Sequence, residues 1–395
     1  MSRLISLGEI NKNIIYPILG GLSKLIAEFI IYKSQAEISK HPLILGFSAG
    51  FGMFLSIIPY IILKIYSRPI REEKTLKGEK LIYNDPNKVY YRKIRLKKYF
   101  FIFLSSFLDF LQKILVFLFT SNINNIFWIF NILFLSLFSR CILNAKLYKY
   151  HYLSLIIIIV LGIIINIIKL YDSNSDEIIY IFLSLFIEVI YSLVAVINKY
   201  NMEITFSTPY ELSFFEGLFI LIVNMTLVII CTKNDISEEK YKFIPNKKIY
   251  YNGKTYLDNF YDYYDKLNYV EILIFILSLM SRLLFNLFGL ITIKNYTPSH
   301  IVILLIIGEI QFIFEEKEIW IIILEVIFIL IILFMILVFT EIIELNFWGL
   351  QIDTKKNIAL RAKTEIDNGN EIRETIDELK ELNDENEKTE SSEEN

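Results

Sequence analysis

The sequence predicts an all-α integral membrane protein with ten transmembrane helices arranged as two inverted five-helix repeats. Hydrophobic residues make up 54% of the 395-residue chain, charged residues only 21%, and the mean hydropathy is +0.48. Soluble domains are about 45–50% apolar and about 25% charged. The apolar residues also lie in blocks of about 18–25, each long enough to cross a hydrocarbon core about 30 Å thick. This distribution excludes a soluble enzyme, a nucleic-acid-binding protein and a secreted disulfide scaffold.

The apolar blocks define ten predicted spans. They cover 14–32, 42–66, 99–120, 126–143, 152–170, 177–198, 211–232, 269–293, 300–314 and 320–345. Each span is predicted to be a helix because a segment in the bilayer core must satisfy its own backbone hydrogen bonds. A membrane β-barrel needs strict alternation of apolar and polar residues. Runs such as Ile156-Ile157-Ile158-Ile159 do not alternate.

An even number of spans places both chain ends on the same side of the membrane. The segment 67–98 carries 11 basic and 4 acidic residues, and more basic residues follow span ten. The positive-inside rule therefore predicts a cytosolic N-terminus (1–13) and a cytosolic basic loop (67–98). The loop 233–268 is then lumenal or extracellular. The tail 351–395 is expected to be cytosolic and disordered, because its last 25 residues hold 11 acidic and 3 basic side chains and no aromatic residue.

Short connections divide the spans into two groups of five, 14–170 and 177–345. An odd number of helices in each group makes the second group inverted relative to the first. Inverted repeats are a recurrent architecture of secondary transporters. Spans five and ten are almost free of charge, so we expect them to face lipid all round and to serve as scaffold or dimerisation elements.

The other spans carry ionisable or amide side chains, each charged one costing about 2.5–3.5 kcal/mol at a helix centre. Such groups are expected to face a polar pathway for solute or ions. The candidate pathway residues are Asp109, Lys113, Glu188, Glu216, Arg282 and Asn286. The structural alternatives stay open: Asp109–Lys113 and Lys24–Glu28 are spaced as intrahelical ion pairs, and asparagines commonly join membrane helices. We expect Glu28 and Glu211, which lie closer to helix ends, to extend towards the membrane surface.

Several stretches, taken in order, resemble one family. They are ILGGLSKLI in span one, HPLILGFSAGFGMFL in span two, FLDFLQKILV in span three, FSRCILNAKLYKYHYLSLIIIIVLGI from span four into span five, PYELSFFEGLF in span seven and LFNLFGLITIKNYTPSH at the end of span eight. With these motifs the chain resembles the drug/metabolite transporter superfamily. Within it, the chain is similar to the eukaryotic nucleotide-sugar-transporter-like solute carriers, near the F-type and chloroquine-resistance-transporter-like branches.

The resemblance implies ten helices in two inverted repeats, a central cavity, cytosolic termini and solute transport by alternating access. It also implies cavity or gating roles for Asp109, Glu216 and Asn286. The chain departs from the family at positions that commonly hold charge. It has Trp128-Ile129 where the family has Arg-Gly, and Ile301 where the family often has arginine. These departures argue against a nucleotide-sugar substrate.

The sequence therefore predicts a secondary transporter of a small organic solute, with proton coupling left open. The alternative is a non-transporting membrane scaffold or receptor that keeps the transporter fold. No phosphate-binding loop, metal-binding histidine pair or catalytic constellation is evident, so no enzyme activity, cofactor or metal is expected. The expected partners are the lipid bilayer, the solute and a second copy of the chain, but no nucleic acid. An endomembrane of vacuolar, lysosomal or Golgi type is favoured over the plasma membrane.

Overall fold

A computed structural model describes residues 5–7, 14–33, 36–63, 65, 88–119, 127–171, 178–205, 207–234, 249–309 and 319–345. Most of the described chain is α-helical, so the all-α prediction is confirmed. The main helices are α1 (Ile15–Lys33), α2 (Pro42–Phe54), α3 (Lys88–Phe119), α4 (Asn131–Leu143), α5 (Lys149–Tyr171), α6 (Ile178–Ile204), α7 (Pro209–Lys233), α8 (Tyr269–Asn295), α9 (Ile301–Glu309) and α10 (Ile319–Phe339). A six-residue helix (Phe260–Asp265) precedes α8, and short 3-10 helices cover Glu37–Lys40, Phe127–Phe130 and Pro298–His300. The expected acidic tail 351–395 lies outside the described residues.

Within the described ranges, five helical stretches are long and apolar enough to cross a membrane. They are Pro42–Leu63, Lys149–Ile167, Phe182–Glu203, Pro209–Lys233 and Tyr269–Asn295. Three shorter apolar helices cover Asn131–Leu143, Pro298–Gly308 and Ile323–Phe339. Within the described residues each predicted span overlaps one of the ten main helices, and α3 begins at Lys88 and not at Tyr99. The stretch 88–98, expected as loop, is helical because lysine and arginine are good helix formers and neither proline nor glycine interrupts it.

The helix ends follow local signals in the sequence. Pro42 and Pro209 occupy first-turn positions in α2 and α7, where the missing N–H of proline costs nothing. The Thr208 hydroxyl caps α7 by accepting a hydrogen bond from the Glu211 backbone N–H at 3.1 Å. Helix α4 ends at Leu143 and is followed by Asn144, whose left-handed backbone (φ 53°) asparagine tolerates better than most residues.

Two small strand pairs mark the ends of the helical bundle. Strand β1 (Ile5–Leu7), before α1, pairs antiparallel with β4 (Ile343–Leu345), after α10. Strands β2 (Ile249–Tyr251) and β3 (Lys254–Tyr256) form a hairpin between α7 and α8. Its turn residues Asn252 and Gly253 have φ of 50° and 73°, the positive values of a two-residue hairpin turn. This hairpin lies in the segment that was expected to be only a long loop.

Helix packing follows a regular pattern. Helix α1 packs on α8 and α9, and α6 packs in the same way on α3 and α4. Helix α2 packs on α8, and α7 packs on α3. The pairs α2–α7 and α5–α10 are also extensive, and α8 makes smaller contacts with α6, α7 and α9. Advancing every helix number by five, and returning to one after ten, converts each of the extensive pairs into another extensive pair or into itself, whereas the smaller contacts of α8 have no counterpart of similar extent among the described residues.

The α2–α7 contact is close because a glycine on each helix meets the backbone of the other. A Cβ at Gly50 would lie 2.8 Å from the backbone nitrogen of Leu221, and a Cβ at Gly217 would lie 2.3 Å from that of Phe54. Each glycine thus meets the residue four positions beyond the other glycine. The contact is reciprocal, as at a local two-fold axis.

Helices α5 and α10 do not face lipid all round, which corrects the expectation for these two spans. Each has an exposed stripe, for example Ile156 and Val160 in α5, and a buried side, for example Ile158 in α5 and Ile332 in α10. The two helices pack on each other and contribute to the largest apolar core, together with α3, α4, α6, α7, α8 and α9. Glu325 of α10 is buried. The uniform apolar composition of α5 and α10 therefore concealed which side is packed.

Candidate functional site

Four helices bring polar side chains together inside the bundle. On α3, the Lys113 ammonium lies 2.5 Å from the Asp109 carboxylate one turn away, as the spacing predicted. The Asp109 side chain is 15% exposed and that of Lys113 35% exposed, so this ion pair is not sealed inside the bundle. The Lys113 ammonium also lies 3.9 Å from the Met53 sulfur of α2.

Glu216 on α7 is the buried member of this group, with 2% exposure. Asn198 on α6 donates a hydrogen bond to Glu216 Oε1 at 2.8 Å. Asn286 on α8 is near enough to act on this carboxylate, and its side-chain amide donates to the Ser213 hydroxyl at 3.2 Å. Asp109 and Lys113 are close enough to act electrostatically on Glu216.

The polar cluster therefore consists of Asp109, Lys113, Asn198, Ser213, Glu216 and Asn286. It contains four of the six candidates from the sequence. Neither Asn198 nor Ser213 was predicted from the sequence to belong to the site. An uncharged polar residue on an apolar helix does not indicate which neighbouring side chain it contacts. The close packing of Gly217 on α2 fixes the height of Glu216 in the bundle.

The cluster has an unbalanced charge. It holds two carboxylates and one ammonium, so it carries one net negative charge when all three groups are ionised. A low-dielectric site strengthens the interaction of such a charge with a cation. Binding one proton or one cationic group neutralises the cluster.

Arg282 lies in a neighbouring group that joins α8 to α1. Its guanidinium is 3.4 Å from Glu28, and the Lys24 ammonium is 3.8 Å from the same carboxylate oxygen. The Glu28 side chain is only 16% exposed and bridges two helices, so the expectation that it extends to the membrane surface is wrong. Arg282 and Asn286 are one turn apart on α8, about 6 Å along its axis, so the two groups adjoin.

Glu188 is not part of the polar cluster. It accepts a hydrogen bond from Asn131 Nδ2 at 2.5 Å, and the Ser192 hydroxyl donates to Asn131 Oδ1 at 2.8 Å. Ten residues separate Glu188 from Asn198 on α6, which places their side chains about 15 Å apart along the axis and about 80° apart around it. Glu188 therefore belongs to the contact between α4 and α6.

Glu211 also departs from its expected surface position. It is buried and forms an ion pair of 2.7 Å with Lys98 of α3. Beside it, the Ser56 hydroxyl donates to the Tyr210 carbonyl at 3.1 Å. These two contacts tie the start of α7 to the end of α2 and the start of α3.

Metal ligands do not assemble within the described part of the chain: no group of three or more histidine, cysteine, aspartate or glutamate side chains has suitable geometry. Cys141 and Cys231 are both free thiols. A comparison of the chain with known protein families and with characterised proteins found no match.

Proposed function

We propose that the protein is a secondary transporter that moves a small organic solute across a membrane by alternating access. The convergence of Asp109, Glu216 and Asn286 from three helices, with Glu216 buried, is the observation that carries this proposal. Buried ionisable groups in membrane helices are costly and mark solute or ion pathways. The same three residues are those that the resemblance to the drug/metabolite transporter superfamily implied.

The packing supports ten crossings in two inverted repeats, 14–170 and 177–345. Adding five to each helix number converts the extensive helix contacts into one another. This is the pattern expected of two five-helix units related by a pseudo-two-fold axis. The reciprocal contact of Gly50 and Gly217 lies where such an axis would pass between α2 and α7. Neither feature is expected of a ten-helix bundle that lacks internal symmetry.

The connections also support alternating crossings. One end of the bundle carries the α1–α2 turn and the α7–α8 segment, which meet at His41 and Asp258. The opposite end carries β1 and β4, and there the Tyr150 hydroxyl bonds to Glu341. We assign the first end to the lumenal or extracellular side and the second to the cytosol, as the charge distribution predicted.

Coupling to protons follows from the charge of the polar cluster. A substrate cation and a proton can each neutralise the excess carboxylate, so the two compete for it or replace one another during the transport cycle. Among the described cluster residues, Glu216 is the best placed for this role because it is buried while its neighbour Asp109 already has Lys113 as a partner.

The experiment uses purified protein in liposomes placed in an aqueous metabolite extract, with mass spectrometry of the trapped solutes. We expect one solute class to be enriched relative to empty liposomes. Asp109→Asn and Glu216→Gln should abolish the enrichment, whereas Glu188→Gln, at the separate α4–α6 contact, serves as the matched control and should retain it. Unchanged uptake in both cluster variants would refute the site.

A scaffold or receptor that keeps the transporter fold is the second candidate, favoured by the apolar residues Trp128 and Ile301 at positions where the family often holds arginine. Deletion of 351–395 separates the two. A transporter keeps its flux without this tail, whereas a scaffold that docks cytosolic partners through it loses its cellular phenotype. Absence of any enriched solute in wild-type liposomes would favour the scaffold.

A further inference from the structure

A buried histidine lies between two aspartates at the end of the bundle opposite the β1–β4 pair. His41 immediately precedes α2 and is 0% exposed. Its Nδ1 atom lies 2.8 Å from Asp258 Oδ1, and its Nε2 atom lies 3.3 Å from Asp262 Oδ2. Both aspartates are buried and belong to the α7–α8 segment. The proposed transport pathway uses none of these three residues.

The hydrogen bonds of Asp258 fix the role of one ring nitrogen. Asp258 Oδ2 accepts from the Leu43 backbone N–H, and Asp258 Oδ1 accepts from the Asn259 backbone N–H, each at 2.8 Å. Both Asp258 oxygens already accept a backbone N–H, so the contact with His41 is a hydrogen bond when Nδ1 carries the proton and donates it. His41 Nε2 is then the atom whose protonation is variable.

The position of Asp262 favours protonation of Nε2. In a neutral imidazole the Nε2 lone pair would face the Asp262 carboxylate, and this nitrogen is buried without a hydrogen-bond partner of its own. With a proton on Nε2 the same contact becomes attractive, because the positive charge of the imidazolium then lies 3.3 Å from the Asp262 carboxylate.

The other charged groups around His41 contain more carboxylates than ammonium groups, which favours one more positive charge. Lys266 donates to Asp262 at 2.9 Å and lies 3.5 Å from Glu37, which also pairs with Lys40 at 2.6 Å. Glu271 accepts from the backbone N–H of Glu37 at 2.8 Å. Among the described groups that contact this cluster, four carboxylates therefore face two ammonium groups.

The aromatic and sulfur neighbours supply no further charge. The edge of the Tyr263 ring meets the His41 ring, with 5.4 Å between centroids. Burial raises the pKa of the Tyr263 phenol to about 12, and the charge of Glu271 adds to this, so Tyr263 stays neutral. The hydrogen bond to Asp262 raises the pKa of Lys266, which stays charged. Cys231, at the end of α7, is near enough to sense the charge of Asp258.

We propose that His41 binds a proton between Asp258 and Asp262, and that this proton latches the α1–α2 turn to the α7–α8 segment. The turn belongs to the first predicted repeat and the segment to the second, so this end of the bundle can open only if the contact is released. The binding of the proton follows from the geometry alone, whereas its effect on opening rests on the proposed function. Loss of the proton leaves the hydrogen bond to Asp258 in place but makes the contact between His41 Nε2 and the Asp262 carboxylate unfavourable.

The latch is tested by a distance measurement that does not depend on transport. Spin labels are placed at half-buried Ser39 and exposed Tyr250, as cysteines in a chain with Cys141→Ser and Cys231→Ser, and the protein is reconstituted in lipid nanodiscs. Pulsed electron paramagnetic resonance between pH 5 and pH 8 should show one short distance at acid pH. A longer distance should grow as the pH rises, with a change of about ten-fold in the ratio of the two populations.

Two variants identify the group responsible. His41→Gln should remove the pH dependence, whereas His300→Gln, which alters another buried histidine, should keep it. Asp262→Asn retains the Asp258 bond, and it should move the midpoint of the response to lower pH by about 1 unit, because a charge that stabilises the imidazolium is lost. The Asp262 variant keeps the test valid if His41→Gln fails to fold.

A distance distribution that is unchanged from pH 5 to pH 8 in the otherwise wild-type chain would overturn the latch. A pH response that survives in His41→Gln would also overturn it. A clear pH response in a protein that transports no solute would support the proton site and refute only the proposed function.

Discussion

Replacement of Gly217 by alanine tests the reciprocal α2–α7 contact. The added Cβ would lie 2.3 Å from the Phe54 backbone nitrogen and 2.6 Å from the Met53 carbonyl carbon. Ordinary contacts of this kind begin at about 3.4 Å, so the two helices must separate locally by about 1 Å. Neither atom belongs to a flexible side chain that could move aside.

The expected cost combines two opposing effects. Overpacking of a tight interior contact destabilises by about 1–3 kcal/mol, and the backbone location places Gly217→Ala at the upper end of that range. Alanine is also a better helix former than glycine by about 1 kcal/mol. We therefore expect Gly217→Ala to lower the free energy of unfolding by about 2 kcal/mol.

The measurement is unfolding of the purified protein from mixed micelles by titration with sodium dodecyl sulfate, followed by far-ultraviolet circular dichroism. Gly289→Ala on α8 is the matched control. Its Cβ would lie 3.6 Å from the nearest side-chain atom of Ile301, so this variant should be as stable as wild type or slightly more stable. Equal stability of the Gly217 and Gly289 variants would show that α2 and α7 are not in close contact.

Three further predictions concern the connections at the two ends of the bundle. Thr208→Ala removes the cap of α7 and should cost about 1 kcal/mol in the same titration, whereas Thr208→Ser should cost less than half as much. Glu211→Gln leaves the Lys98 ammonium without its carboxylate and should cost about 1–3 kcal/mol; adding Lys98→Met should recover part of this, and simple additivity would contradict a direct interaction. Burial acts to raise the pKa of Glu37, but hydrogen bonds and charges from Lys40 and Lys266 outweigh burial and lower this pKa. The ionised Glu37 side chain therefore stabilises the fold above about pH 4.3, the value in an unfolded chain. This stabilisation is lost as the pH falls through the folded-state pKa. Thermal unfolding from pH 6 to pH 3 should show a larger loss of stability in wild type than in Glu37→Gln, because only the contribution of Glu37 is missing from the variant.

The helices were predictable because the length of each apolar block follows from the thickness of a bilayer. Helix ends that lie within polar segments were harder to predict. Helix α3 begins at Lys88 because of the helix propensity of its first residues, which the position of the apolar block does not indicate. The β2–β3 hairpin carried a usable signal, since Asn252-Gly253 between aromatic and β-branched residues is typical of a two-residue turn.

The candidate site was predictable where its members share a helix. The Asp109–Lys113 pair follows from a spacing of four residues, which places both side chains on one face. Glu188 was grouped with the site only because it is charged. Its position on α6, on a different side of the helix from Asn198 and about 15 Å away along the axis, places it at the contact with α4 instead. The contact of His41 with Asp258 joins residues 217 positions apart, and only the assembled tertiary structure brings such residues together.

The pairing of β1 with β4 has a consequence for biogenesis. Ile5 is synthesised 340 residues before its strand partner Leu345, which follows only after α10. At a synthesis rate of about 5–20 residues per second, the N-terminal strand waits roughly 20–70 seconds for this partner. During that interval its free backbone edge is open to chaperones, to the ribosome surface or to a neighbouring nascent chain.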